Sequence, residues 1–209
     1  MRTVAAFDFD KTLSTRDNVV PFLTAVAGRA ALLAVLARAT PDLVRGRRSA
    51  VKERLVRQLL ASRPEADVRA TAESFAADVL IAHLRPDVVT RAEWHRAQGH
   101  ERVIVSASFA AYLHPVAERL GFDAVLATEL ELGDDGRLTG ELAGPNVRGA
   151  EKVHRLDVWI GDAPATVWAY GDSSGDRELL ARADHPVRVG RAALPATPES
   201  ASGAGSVPR

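Results

Sequence analysis

FDFDKTL, residues 7–13, sets two carboxylates, Asp8 and Asp10, directly after the apolar run Val4-Ala5-Ala6-Phe7. An ionised carboxylate leaves water only where a cation, hydrogen-bond donors or a raised pKa compensates. The stretch therefore reads as a short buried strand, residues 3–7, that delivers acids to a charged site at its carboxyl end. In an extended chain residues two apart share a face, so this spacing predicts Asp8 and Asp10 side by side.

Working outward, the texture changes from residue 17 to 98. Ala, Leu and Arg dominate there, apolar residues recur at helical spacing, and Pro21, Pro41, Pro64 and Pro86 divide the run into several helices. Strand-like runs return at residues 102–105, 124–127, 166–170 and 187–189, with helical segments at 110–120, 149–160 and 176–183 between them. Residues 130–132 and 138–142, separated by Gly133-Asp134-Asp135-Gly136-Arg137, read as a β-hairpin. The expected organisation is an α/β core of residues 1–16 and 97–190 and a helical cap of residues 17–96. The Pro/Ser/Gly/Ala-rich tail, residues 191–209, reads as disordered.

Strands alternating with helices imply a doubly wound, Rossmann-like parallel sheet, whose ligands gather beyond the carboxyl ends of the strands. The polar residues fall at those ends: Asp8 and Asp10 after the first strand, Ser106 after Val103-Ile104-Val105, and Asp172 after Ala169-Tyr170-Gly171. Hard divalent cations such as Mg²⁺ take carboxylate oxygens, waters and substrate phosphate. Asp8, Asp10, Asp172 and Asp176 suit such an ion. Ser106, the backbone N–H groups of Ala107 and Ser108, and Lys152 supply donors and positive charge for an anion held against it. Phosphoryl transfer asks mainly for this combination of positioning and charge neutralisation. A carboxylate can attack phosphorus, and a second acid nearby can protonate the leaving alkoxide and then deprotonate water.

Four ordered stretches carry a resemblance: Phe7–Leu13, Val103–Ser108, Lys152, and Gly171-Asp172-Ser173-Ser174-Gly175-Asp176. They resemble the four motifs of the haloacid dehalogenase-like (HAD) superfamily, and the helical insertion after the first is placed as in its phosphoserine-phosphatase-like subfamily IB. The resemblance implies Asp8 as nucleophile and Mg²⁺ ligand, and Asp10 as general acid/base that lends the ion its backbone carbonyl. It implies Ser106, Ala107 and Lys152 around the phosphoryl oxygens, Asp172 completing the metal site, and Asp176 with Ser173 in support. Phosphoserine phosphatases usually carry a glycine pair after the motif-two serine and an Asn before the last aspartate. This chain has Ala107-Ser108 and Gly175, departures that bear on the substrate.

The expected activity is Mg²⁺-dependent hydrolysis of a small phosphorylated metabolite, including phosphoserine-like compounds, through an aspartyl-phosphate. A lipid head-group phosphate is the alternative substrate, with the apolar stretch Ala25–Ala39 either meeting an acyl chain or packing in the cap. A phosphoacceptor signalling domain is the alternative of another class, disfavoured because a receiver's acceptor Asp lies on a later strand. Asp17 and Asn18, just past the first motif, and Lys52, in the basic stretch that begins at Arg45, are candidates to hold the rest of the substrate. Arg148 and Arg155 compete with Lys152 for its role, and the six histidines show no paired metal spacing.

Composition bounds partners and place. The 209 residues carry 27 Lys+Arg against 27 Asp+Glu, so no global field recruits nucleic acid or an anionic membrane. No cysteine is present, which removes disulfides and thiolate metal sites and fits a reducing cytosol. No stretch reaches the ~20 apolar residues of a membrane span. A cytoplasmic protein without stable membrane association is expected.

Overall fold

The computed structural model describes residues 2–44 and 48–195. Its strands are β1 (Arg2–Phe7), β2 (Glu101–Phe109), β3 (Ala124–Thr128), β4 (Leu130–Leu132), β5 (Leu138–Leu142), β6 (Ala165–Gly171) and β7 (His185–Arg188). Its helices are α1 (Val19–Ala27), α2 (Arg29–Val44), α3 (Arg48–Leu60), α4 (Glu65–Ala82), α5 (Pro86–Ala97), α6 (Ala110–Leu120), α7 (Ala150–Ile160) and α8 (Arg177–Arg182).

The main sheet runs in the order β3-β2-β1-β6-β7 with every pairing parallel. Phe7 lies opposite Ile104 on one side and Tyr170 on the other, so β1 and β6 end at the same rim, while β2 carries Ser106 at that rim and runs on past it to Phe109. The chain winds outward from β1 to β3 and then returns across β1 to β6. Such a reversal is the switch point at which open α/β sheets bind ligands.

Alternation along the strands explains the two cores. Val4, Ala6, Val103, Val105, Val167 and Ala169 pack with Leu156 and Ile160 of α7 and Leu179 of α8. Ala5, Phe7, Ile104 and Tyr170 face the opposite way, against α5, α6 and the inserted helices. The doubly wound sheet predicted from the sequence is the observed fold.

Helix α5, assigned to the cap by sequence, lies on the sheet instead. Its Val88 and Ala92 belong to the core, and the His95 ring meets Phe7 at 6.0 Å and Trp168 at 5.3 Å. The two linkers of the insertion pair before it begins: Ser14 bridges Leu84, Thr15 N–H donates to His83 O at 2.7 Å, and Arg85 N–H donates to Leu13 O at 2.9 Å. The inserted block is thus α1–α4. It rests on the hairpin β4–β5, where Ser62 N–H donates to Leu138 O at 2.8 Å, Leu138 N–H donates to Arg63 O at 2.9 Å, and Arg57 pairs with Glu141 at 2.8 Å. Gly140 allows that contact, since a Cβ there would lie 2.8 Å from the Ala61 Cβ.

Of the predicted tail, residues 191–195 are anchored rather than loose. Leu194 N–H donates to Asp87 Oδ2 at 2.9 Å, and Arg91 donates to Pro195 O at 2.7 Å. The rest, 196–209, lies outside the described residues. Within the apolar stretch Ala25–Ala39, Leu32 and Val35 are buried in the core while Leu33 is exposed. Among the described residues no single helix is long and apolar enough to cross a membrane.

Candidate active site

β1 stops at Phe7, and after the extended Asp8, Phe9–Leu13 form one wide helical turn in which Ser14 N–H donates to Phe9 O at 2.8 Å. Asp10 is extended inside it (φ −69°, ψ 124°) and Lys11 is left-handed (φ 60°). The pleat of a continuing strand, expected from the spacing, does not align Asp8 and Asp10. The turn does. It brings both to a cavity of about 370 Å³ at the rim of the sheet, lined also by Asp17, Lys52, Ser106, Ala107, Lys152, Asp172, Ser173 and Asp176.

Lys152 enters from α7 with its side chain 2% exposed. Its Nζ donates to Asp8 Oδ1 at 2.6 Å and to Asp176 Oδ1 at 2.6 Å. Burial alone would lower this ammonium, but Asp8 and Asp176 more than offset that and hold it above its usual range. Of its two competitors, Arg155 pairs with Glu151 at 2.7 Å, and Arg148 lines the cavity while donating to Ser174 at 3.0 Å.

Asp176 has both oxygens engaged, one by Lys152 and the other by the Ser173 N–H (3.0 Å) and hydroxyl (2.8 Å). Burial pushes its carboxyl up, yet the Lys152 charge and the donors prevail and leave it below the usual range. Gly171 permits its approach, since a Cβ there would stand 2.5 Å from the Asp176 Cβ. Asp8, by contrast, is pushed up to about 6 by burial, with Asp176 adding and Lys152 opposing. Asp172 is raised too, by burial and then by Asp176.

Carboxylate oxygens of Asp8, Asp172 and Asp176 lie within 4.8 Å of one another. An all-oxygen set in which Asp176 raises the pKa of both Asp8 and Asp172 fits a hard divalent cation, which would relieve the repulsion. Asp8 and Asp172 are the members suited to hold it directly, because both Asp176 oxygens are committed at 3.0 Å or less to Lys152 and Ser173, whereas Asp8 Oδ2 carries the longer 3.3 Å bond from Thr12.

Asp10 is pushed up to about 7, chiefly by burial and then by Asp17, against hydrogen bonds from Ser108 and Asn18. Ser106 is 1% exposed, and its Oγ accepts from the Ser108 N–H at 3.2 Å. That N–H, expected to face an anion, is therefore turned onto Ser106, and the Ser106 hydroxyl proton remains to donate. The Ala107 carbonyl accepts from Thr128 Oγ1 at 3.2 Å and from Lys52 Nζ.

Lys52 reaches the cavity from α3. It donates to Asn146 Oδ1 at 2.9 Å, and its Nζ lies 4.4 Å from the centre of the Phe109 ring. Burial pulls its pKa down to about 7 against the fields of Asp10 and Asp17. Asp17 is exposed at the mouth of the cavity and caps Val19 N–H at 3.1 Å. Of the basic stretch before Lys52, residues 45–47 lie outside the described residues.

Two polar residues around the site, Asn146 and Thr12, were missed as functional from sequence, and Ser108 was named there only for its backbone N–H, not its hydroxyl. Asn146 ties Lys52 to Thr128, whose hydroxyl it accepts at 2.9 Å. Thr12 donates to Asp8 Oδ2 at 3.3 Å, and Ser108 donates to Asp10. Asn146 follows Gly144-Pro145, a turn signal that marks the place without the partner.

The model of the haloacid dehalogenase-like hydrolase matches residues 5–181. The chain belongs to that family. Protein CicA of Caulobacter vibrioides is 42% identical over 189 residues, covering 87% of this chain and 83% of that protein. A histidinol-phosphatase of Neisseria meningitidis is 31% identical over 121 residues, 55% of this chain and 54% of that one. A solved Bordetella pertussis protein of unknown function superposes with TM-score 0.73 at 28% identity, over 87% of this chain and 86% of that one. Solved phosphoserine phosphatases superpose too, at identities that show the shared fold alone. This HAD hydrolase is an enzyme of the phosphatase kind.

Proposed function

We propose that this HAD hydrolase is a Mg²⁺-dependent phosphomonoester hydrolase that works through an aspartyl-phosphate on Asp8. The observation that carries the reading is the Asp8 carboxylate held at 2.6 Å by Lys152 and grouped with Asp172 and Asp176. Asp8, with Asp172 and the Asp10 carbonyl, would hold Mg²⁺, and the ion would supply charge neutralisation at the phosphoryl oxygens. Ser106 Oγ and Lys152 Nζ hold and orient those oxygens. Asp10, poised near neutrality, gives a proton to the leaving oxygen and later takes one from water.

The remaining lining describes the leaving group. Asp17 and Lys52 set opposite charges beside Val19, Val20, Val51 and Leu55. Such a wall suits a small amino-alcohol or amino-acid phosphate: Asp17 meets an amine, Lys52 meets an anion or a polar oxygen, and the apolar residues meet a short body. A cap closed over the site also keeps bulk water from the intermediate.

The test is phosphate release from a panel of phosphomonoesters that includes phosphoserine and histidinol phosphate, in MgCl₂ and in EDTA, with Asp8→Asn beside wild type. Metal-dependent turnover that the substitution abolishes is the expected result. A folded wild-type protein that releases phosphate from no ester would overturn the reading.

A further inference from the structure

Ser108 stands where phosphoserine phosphatases usually have a glycine. Its hydroxyl, on a residue 1% exposed, donates to Asp10 Oδ2 at 2.6 Å. The other oxygen of the same carboxylate, Oδ1, accepts from the Asn18 backbone N–H at 3.1 Å and from Asn18 Nδ2 at 2.8 Å. Asn18 is fully buried and is itself fixed, with Nδ2 also donating to Ser14 Oγ at 2.8 Å and to Arg16 O at 3.1 Å. Behind Ser108, the buried Tyr112 hydroxyl has no hydrogen-bond partner among the described residues, and Asp10 and Ser108 are among the groups that bear on it. A buried hydroxyl without a partner is costly, and Ser108 Oγ keeps lone pairs when its proton is on Asp10.

We propose that Ser108 and Asn18 are positioning residues that clasp the two oxygens of Asp10 and so aim its proton transfer, one from the core strand and one from the residue that opens α1. The inference rests on the phosphatase reading above. In the first step an Asp8 oxygen bonds to phosphorus as the bond from phosphorus to the leaving oxygen breaks, and the Asp10 proton passes to that oxygen. In the second, Asp10 takes a proton from water while the water oxygen bonds to phosphorus. The bond from Asp8 to phosphorus then breaks, inorganic phosphate leaves, and Asp10 is again protonated.

Both transfers use one carboxyl at one place, and general acid–base catalysis needs hydrogen-bond reach before it needs a matched pKa. Donors on both oxygens remove the rotation that would take Asp10 out of line. Because Asn18 begins the inserted helices, the clasp is complete only with α1 seated over the site. Ser108 thus does work at its position that a glycine cannot.

The test compares kcat/KM of wild type, Ser108→Ala and Asn18→Ala on phosphomonoesters whose leaving groups run from an alkyl alcohol to p-nitrophenol, with MgCl₂ present. This ratio reports the steps through departure of the alcohol, where a poor leaving group depends on the acid and a good one does not. For the alkyl ester a loss of about 10–100-fold is expected in either variant, a part of what general acid catalysis contributes. The loss should shrink toward p-nitrophenyl phosphate, and Ser108→Thr, which keeps the hydroxyl, should recover much of it. An equal loss on every ester, or none on any, would overturn the positioning role. Circular dichroism and melting temperature identify a variant that does not fold, in which case the other variant decides. Failure of wild type to release phosphate from any ester would instead sink the phosphatase reading, and this inference with it.

Discussion

Lys52 Nζ on α3 donates to Asn146 Oδ1 at 2.9 Å, joining the inserted helices to the core across 94 residues of sequence. The same ammonium donates to the Ala107 carbonyl, beside the phosphate-binding candidate Ser106. A single cation thus latches the cap and lines the substrate cavity.

Burial holds Lys52 down to about 7, so its charge is present below that pH and lost above it. For a substrate that places an anion there, KM should rise as pH passes upward through about 7. Lys52→Met should raise KM about 10–100-fold at pH 6, the size of a charge-assisted hydrogen bond, and should flatten the pH response. Steady-state kinetics from pH 5.5 to 9 read both. An unchanged KM profile would remove Lys52 from substrate binding.

Among the described residues, Lys152 is the only ammonium paired with the two buried carboxylates Asp8 and Asp176. Lys152→Met should leave them uncompensated and cost about 3–5 kcal/mol of stability, as when one partner of a buried ion pair is removed. Urea unfolding measures the loss. Millimolar MgCl₂ should restore more stability to the variant than to wild type, because a cation replaces the missing charge, while phosphate release stays abolished.

Gly171→Ala isolates a close approach without a backbone change, since Gly171 is in a strand and carries no left-handed φ. The added methyl would stand 2.5 Å from the Asp176 Cβ and must displace it. Turnover should fall at least about 10-fold, since ångström-scale misplacement at a reacting site is costly. Mg²⁺ affinity by calorimetry should weaken with it, and circular dichroism should be preserved.

His95 is fully buried, with Nε2 2.9 Å from Tyr170 Oη and Nδ1 2.8 Å from His100 Nδ1. Burial, then the charges of His100, Arg91 and Arg102, pull its pKa from 6.5 to about 3. The unfolded chain therefore takes up the proton first as pH falls. The stability linked to His95 is fully present above pH 6.5 and is lost between 6.5 and 3, at up to about 1.4 kcal/mol per pH unit. His95→Gln should remove that contribution to the slope of urea-derived stability against pH. An identical slope in the two proteins would show that His95 does not carry it.

Much of the architecture was legible in the chain. Helix 110–120 and the hairpin 130–132/138–142 have the bounds read from periodicity and turn residues. The strand ends that carry Asp8 and Asp172 were readable because a hydrophobic run that stops at a polar residue is a local pattern, whereas β2 continues past Val105 to Phe109 and so holds Ser106 inside the strand. Helix α5 was misassigned for an equally physical reason. Its buried side includes Arg91 and His95 beside Val88 and Ala92, so its residues do not spell an apolar stripe. Their polar atoms are satisfied by Tyr170 and Pro195, partners far along the chain.

The sequence by itself determined the doubly wound sheet and the gathering of acids, a serine and a lysine at one rim, because strand pleat and βαβ winding follow from short-range pattern. Tertiary structure alone decided which groups meet which. The wide turn after Phe7, rather than a continuing strand, aims Asp8 and Asp10; the seat of α3 on the hairpin brings Lys52 to Asn146; Ser108 and Asn18 close on Asp10 from opposite sides. Each contact joins residues whose separation in space depends on how helices dock, and docking is set by the summed packing of two cores rather than by any local run of the chain.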